Sequence, residues 1–398
     1  MKIMLTADTY VPDINGCAIF THNLAAGLAE HGHEVHVIAP SPIGKPYREL
    51  QDGVHEHRMK SHEAFFMQHL YLVAPWEIDK TVRRIIKTVK PDIVHTQSHL
   101  MVGRCGAKWA RELGIPLVAT NHFMPEFLLD QLPRQLPKLL RRAIAALAWM
   151  DIGRVYASAD KITAATPTAV SWVKKHAKLG GIVPVSSGVK TEKFRNVEVS
   201  KPDDIPHLLF VGRLEDEKRV NEVIEALALL QPSTKLHFDI VGNGSLYDEL
   251  RQYAANLRVL DRITFHGFLT DKDLVKMFVS CDIFVNAGIA ELQSIVTLEA
   301  LAAGKPVILA NAMAMPHLVR HGQNGYLFEP GDVEALAAYI EELALNPQLR
   351  KFMGKTSLEV VKAYEFSNTL RTFEELYQTV IAEHTKSRGE PISQEPEF

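Results

Sequence analysis

Short apolar runs alternate with longer amphipathic stretches through the first half of the chain. The runs are Lys2–Ala7, Glu34–Ala39, Ile93–Gln97, Leu117–Asn121 and Lys161–Ala164, rich in Ile and Val and bounded by Gly, Pro or Asp. Runs of that length separated by helical periodicity predict βα units and a parallel sheet. Between the first two lies a helical stretch, Phe20–His31, followed by Gly32, the residue a helix C-terminus favours. A second series begins near Pro206 with Leu208–Val211, Lys235–Val241, Ile263–His266, Ile283–Asn286 and Pro306–Ala310, each followed by helix-like sequence. Ser186–Asp204, with Gly188, Pro202 and several charges, reads as the connection between the two series. Asn368–Ala382 is a long helical stretch, and the polar tail from Gly389 is expected to be disordered.

The length agrees with two cores, since chains beyond roughly 250–300 residues usually divide, and this one has 398. No segment is long and apolar enough to span a bilayer, and the start, Met1-Lys2-Ile3-Met4-Leu5, lacks a signal-peptide pattern. Cys17, Cys105 and Cys281 are far apart and without ligand spacing, so neither a disulfide framework nor a zinc site is expected. A reducing, cytoplasmic setting fits. The net charge of −3 divides unevenly: residues 1–190 carry +7 and the remainder −10. A basic first half is compatible with an anionic surface or acceptor, or with a merely solvated face.

In parallel α/β sheets ligands bind beyond the carboxyl ends of strands, where loops meet helix N-termini. Four such loops stand out. Ala7–Cys17 carries the turn pair Asn15-Gly16, where glycine lets backbone approach a bound group, although a plain turn is the simpler reading. In Val211–Lys218, Arg213 and Lys218 flank an acidic turn; they suit a diphosphate, or equally a pair of surface ion pairs. Val241-Gly242-Asn243-Gly244-Ser245 has a GxG but no third glycine, which excludes a dinucleotide fingerprint. The fourth, Ala290–Pro306, is the most informative. Ser294 suits an N-cap, Ile295–Ala303 a helix, and Gly304 its C′ position. Glu291 then lies in the loop and Glu299 inside the helix, roughly 7–8 Å along the axis from the cap. The free amides of Ser294, Ile295 and Val296 would hold an anion between them. A carboxylate inside an Ala/Leu helix is costly without partners, and ligand hydroxyls would remove that cost. Asp271-Lys272-Asp273 has the spacing of a metal-binding DxD, but N-capping and the helix dipole explain it, and no metal is expected.

Glu291-x7-Glu299, Val211-Gly212-Arg213 with Lys218, Asn15-Gly16, Pro91-Asp92-Ile93-Val94-His95 and Asn324-Gly325 occur in this order. Together they resemble glycosyltransferase family 4, retaining enzymes of the GT-B fold, over roughly Met1 to Ala382. The resemblance implies two Rossmann-like domains facing across a cleft: 1–190 for the acceptor and 191–366 for the nucleotide sugar. It also implies a helix over 367–384 returning to the first domain, leaving 385–398 as the tail. The implied site comprises Gly16 at the phosphate region, Arg213 and Lys218 on the diphosphate, Glu299 on the ribose and Glu291 on the sugar. Gly242, Gln293, Ser294, Ile295 and Val296 complete the donor surface, and His122 falls where the family places a histidine at the reacting carbon. The chain departs from the family at Leu292-Gln293-Ser294, where Gly-Phe-Gly is common. Glutamine there is similar to the branch that glycosylates diacylglycerol-type lipids. It also departs at Met313-Ala314-Met315-Pro316-His317, and at Arg219, where glycine is common.

The resemblance therefore implies transfer of glucose or mannose from a UDP- or GDP-sugar, without cofactor, metal or nucleic acid. In Pro137–Trp149, Lys138, Arg141 and Arg142 share one side of a helical wheel, with Leu140, Ala143, Ile144 and Leu147 opposite. Such a helix could lie on the inner face of a membrane, which favours a lipid-linked acceptor; docking on its own domain is the ordinary alternative. A soluble glycoside product, a nucleotide-sugar epimerase, or a non-catalytic nucleotide-sugar sensor on the same fold remain competing expectations.

Overall fold

In a computed structural model, residues 1–13, 15–63, 71–126, 137–199 and 204–387 are described. The chain forms two compact units: Met1–Ser186 joined by the chain from Leu370, and Ser187–Thr369. Sequence reading puts these borders at 190 and 366. They move because Val189 pairs in parallel with Glu365, and the turn Thr191–Phe194 packs on the second unit. The C-terminal helix runs over Phe366–Ser387, longer at both ends than its sequence pattern suggests. Of the expected tail, residues 388–398 lie outside the described residues.

The strands of the first unit are β1 (Lys2–Thr6), β2 (Glu34–Pro40), β3 (Tyr47–Gln51), β4 (Val54–Met59), β5 (His62–Glu63), β6 (Tyr71–Leu72), β7 (Ile93–Thr96), β8 (Leu117–Asn121), β9 (Lys161–Ala164) and β10 (Ile182–Pro184). Eight form one sheet in the order β10-β9-β8-β7-β1-β2-β4-β3, and β5 pairs with β6 separately. All pairs in the large sheet are parallel except the edge pair β3–β4. β4 escapes a hydrophobicity pattern because Glu56, His57 and Arg58 are buried in it. They are tolerated because Arg58 donates to Glu56 at 2.7 Å and to the carbonyls of Pro40 and Val11. Continuous burial of β1, β7 and β8 follows from helices covering both faces of a parallel sheet.

The second unit holds β11 (His207–Val211), β12 (His237–Val241), β13 (Ile263–Gly267), β14 (Ile283–Asn286), β15 (Val307–Ala310) and β16 (Gly325–Phe328). They form one parallel sheet in the order β13-β12-β11-β14-β15-β16. In each unit the strand order reverses once, beside β1 and β7 in the first and beside β11 and β14 in the second. Those switch points open a crevice beyond the carboxyl ends of the flanking strands, where open α/β sheets take their ligands.

Candidate functional site

At the switch point of the second unit, the loop after β11 carries Arg213 and Lys218, and the loop after β14 carries Glu291. The backbone fixes both. Ile289 N donates to Glu217 O at 2.9 Å, and Ala314 N donates to Glu291 O at 3.2 Å. Asn286 Oδ1 accepts from Gly288 N, while its Nδ2 donates to Ser294 Oγ. Lys218 thereby reaches Glu291, with Nζ 2.5 Å from Oε1 and both side chains largely shielded. Arg213 instead lies on Glu217 at 2.8 Å and faces solvent.

Ser294 is buried and caps the helix Ile295–Ala302, its Oγ accepting from Thr297 N; Gly304 follows at φ +70. The Ile295 and Val296 amides have no hydrogen-bond partner among the described residues, and they carry the positive end of the helix dipole. Ser294 Oγ accepts also from Asn286 Nδ2 and Thr297 Oγ1, so its lone pairs are used within the loop. The Gln293 carbonyl oxygen accepts from Ser187 N at 2.7 Å, so this side chain anchors the loop. Glu299 is half-buried, and burial pushes its carboxyl up to about 7; Lys193 opposes this and Asp271 adds to it. Sequence reasoning missed Lys193: it lies in the turn Thr191–Phe194, whose contact with this helix no local pattern reveals.

Two further observations bear on the expected residues. Gly242 N donates to Gly267 O at 2.8 Å, and a Cβ there would collide with Gly212 O, so this amide is engaged and the glycine packs neighbouring loops. In the DxD segment, the N-cap is Thr270, which accepts from Asp273 N. Asp271 pairs with Lys193 at 3.2 Å and Asp273 with Lys276 at 2.9 Å.

At the switch point of the first unit, Asn15 caps the helix Gly16–Glu30 by accepting from Ala18 N at 2.9 Å. The Gly16 amide opens that helix, exposed and without a hydrogen-bond partner among the described residues. Asp8 in the same loop is buried against another helix start, accepting from Val102 N, Gly103 N and Ser98 Oγ. His122 follows β8. Its Nε2 lies 2.9 Å from Gln97 Oε1, Phe20 packs on its ring, and burial lowers its pKa to about 4. His95, inside β7, and His99, past its end, are core residues with pKa values held down by burial at about 3 and about 4.

The helix Lys138–Tyr156 turns Trp149, Ile152 and Tyr156 into the first unit. Its outer face carries apolar as well as basic side chains. Leu139 (80%), Leu147 (64%), Met150 (52%) and Leu140 (46%) are exposed, together with Arg142 and Arg154. The Lys138 side chain lies outside the described residues. Among the described residues, no helix is long and apolar enough to cross a membrane.

Comparison with known proteins bears on both units. Residues 14–193 match the family described as Glycosyltransferase Family 4, and residues 191–360 match Glycosyl transferases group 1. Among similar proteins is a GDP-mannose-dependent alpha-mannosyltransferase of Mycobacterium tuberculosis, 31% identical over 84% of this chain and 85% of that protein. Another is the alpha-monoglucosyldiacylglycerol synthase of Streptococcus pneumoniae, 24% identical over 94% and 85%. Among solved structures, sucrose-phosphate synthase from Thermosynechococcus elongatus matches with TM-score 0.78 at 18% identity, covering 96% of this chain and all of that one. Anabaena HepE in complex with UDP matches with TM-score 0.71 at 18% identity, covering 95% of this chain and all of that one. Likenesses at that identity show the fold, two Rossmann-like units of the GT-B type.

Proposed function

The chain belongs to glycosyltransferase family 4 and is a hexosyltransferase, and from that premise we propose that it transfers glucose or mannose from a UDP- or GDP-sugar, retaining anomeric configuration and needing no metal, to an acceptor carried by a membrane lipid. The observation that carries this reading is the meeting of Lys218 and Glu291 beside the unpartnered amides of Ile295 and Val296. A leaving diphosphate gains negative charge as the sugar departs, and an ammonium with oriented N–H dipoles stabilises that charge where it grows. Lys218 and the helix-end amides suit the diphosphate, and Arg213 joins them by leaving Glu217. On this reading the second Glu291 oxygen would take sugar hydroxyls and Glu299 the ribose.

In a front-face displacement, the bond from the anomeric carbon to the diphosphate oxygen breaks while the bond to the acceptor oxygen forms. The acceptor proton passes to the departing phosphate, so no carboxylate nucleophile is needed. Metal independence rests on the chemistry present: cations and amides supply the countercharge, while Asp271 and Asp273 are each paired with a lysine. Glucose and mannose are the sugars in the names of two relatives, and diacylglycerol is in one of them. The exposed leucines and arginines of the helix Lys138–Tyr156 suit an anionic lipid surface at the inner face of a membrane.

Incubation with UDP-glucose or GDP-mannose and diacylglycerol vesicles, with and without phosphatidylglycerol and in excess EDTA, tests this reading. An α-linked glycolipid, promoted by the anionic lipid, is expected. Products on free sugars alone would sink the lipid assignment, and donor binding without turnover would leave a sensor.

A further inference from the structure

We infer that Gln97 is a positioning residue that fixes the tautomer of His122, keeping the proton on Nε2 and leaving the Nδ1 lone pair as a hydroxyl acceptor. Gln97 and His95 lie two residues apart at the end of β7, so their side chains share one face of the sheet. The Gln97 amide nitrogen is 3.1 Å from both ring nitrogens of His95, a position possible only over the ring face. An N–H is attracted to the π face of a neutral imidazole and a carbonyl oxygen is repelled by it. The amide is thereby oriented, and its oxygen is the atom 2.9 Å from His122 Nε2. An oxygen only accepts, so Nε2 bears the hydrogen and Nδ1 does not. Nδ1 has no hydrogen-bond partner among the described residues.

His95 is locked in turn. Its Nδ1 meets Tyr377 Oη at 2.6 Å and its Nε2 meets Thr120 Oγ1 at 2.6 Å. Thr120 Oγ1 continues to Thr163 Oγ1, also at 2.6 Å, and Phe373 packs on the His95 ring. Facing His122 are Gln97, His95 behind it and the Phe20 ring. Burial is what lowers its titration, and among the described residues no charged side chain is bonded to its ring. A half-buried, neutral imidazole with a free Nδ1 is a weak base but a good acceptor of a hydroxyl hydrogen bond. That the hydroxyl belongs to substrate rests on the transferase reading; the tautomer does not.

Two-bond 1H–15N correlation of His122, assigned by His122→Phe, tests the tautomer in the unliganded full chain. A neutral ring protonated at Nε2 from pH 5.5 to 8.5 is expected, and protonation at Nδ1 would overturn the assignment whether or not the transferase reading stands. Gln97→Glu places a carboxylate against Nε2–H and favours imidazolium, which turns Nδ1 into a donor. The His122 titration then rises by more than one unit. Turnover of Gln97→Glu falls as pH drops from 8.5 to 5.5, while the wild type changes little over that range. Gln97→Leu lowers turnover without moving the pH profile. An unmoved His122 titration in a folded Gln97→Glu protein removes the positioning role, and a pH-independent loss in both variants reduces Gln97 to a structural residue.

Discussion

Lys218 and Glu291, 73 residues apart in sequence, hold each other at 2.5 Å across the switch point of the second sheet. On the proposed reading, an arriving diphosphate would share this ammonium with the carboxylate. Lys218→Ala is expected to lower kcat/KM by about 10²–10³, the usual loss for one donor aimed at developing charge. Its Tm stays within a few degrees of the wild type by circular dichroism. Wild-type kinetics in Lys218→Ala would contradict the leaving-group role.

Glu299 gives the site a pH dependence of known sign. Burial, opposed by Lys193 and reinforced by Asp271, raises its carboxyl from 4.5 to about 7. A raised acid destabilises the fold in its ionised form: the cost is absent below 4.5 and grows as pH climbs through 7. Glu299→Gln should therefore raise Tm more at pH 8 than at pH 4.5. Ribose hydroxyls favour the ionised form, so nucleotide affinity measured by calorimetry falls as pH drops below about 7 in the wild type. A pH-independent affinity would detach Glu299 from the ligand.

Gly242 separates packing from binding. At φ +128 and with Gly212 O in the way, alanine fits neither the conformation nor the space. Gly242→Ala should lose about 2–4 kcal/mol in urea unfolding, from strain and steric overlap together. Unchanged stability with weakened donor binding would instead assign this glycine to the ligand.

Arg58 and Glu56 form a buried pair that also grips the carbonyl of Val11, in the loop leading to Gly16. Removing one partner strands the other charge, so Arg58→Met should cost about 3–5 kcal/mol. The double variant Glu56→Leu/Arg58→Met should recover part of that loss. Chemical denaturation of the three variants measures it.

Leu139 and Leu147 are the most exposed leucines of the helix Lys138–Tyr156. Burying one such side chain in a lipid interface contributes about 1.5–3 kcal/mol. Leu147→Glu should weaken vesicle partitioning at least tenfold in flotation, while slow donor hydrolysis in detergent stays unchanged. Equal flotation of variant and wild type would count against the membrane contact.

Most strands whose residues are apolar on both faces were legible in the sequence, because burial between helices leaves no alternation to confuse; the short β10 and β16 were not among them. β4 was not, since its interior positions are filled by an ion pair and a histidine whose burial depends on partners in other segments. The same division holds at the site. Ser294 as cap and Gly304 as helix end follow from local backbone chemistry. The contacts of Lys218 with Glu291 and of His122 with Gln97 arise from strand order, which brings distant loops together. Gln293 shows the opposite failure, because its neighbours in sequence give no hint of Ser187.

The residues from Leu370 onward belong to the unit that opens with Met1, and Phe373 and Tyr377 are buried against its sheet. On the ribosome, that unit is therefore among the first parts made and among the last to be completed. Until the segment from Leu370 emerges, the nascent sheet lacks the phenol that meets His95 and the ring that packs on it. The second unit, whose chain is continuous, needs no such wait. Synthesis order thus makes the histidine network of the first unit a late product of folding, finished only when the returning segment leaves the tunnel.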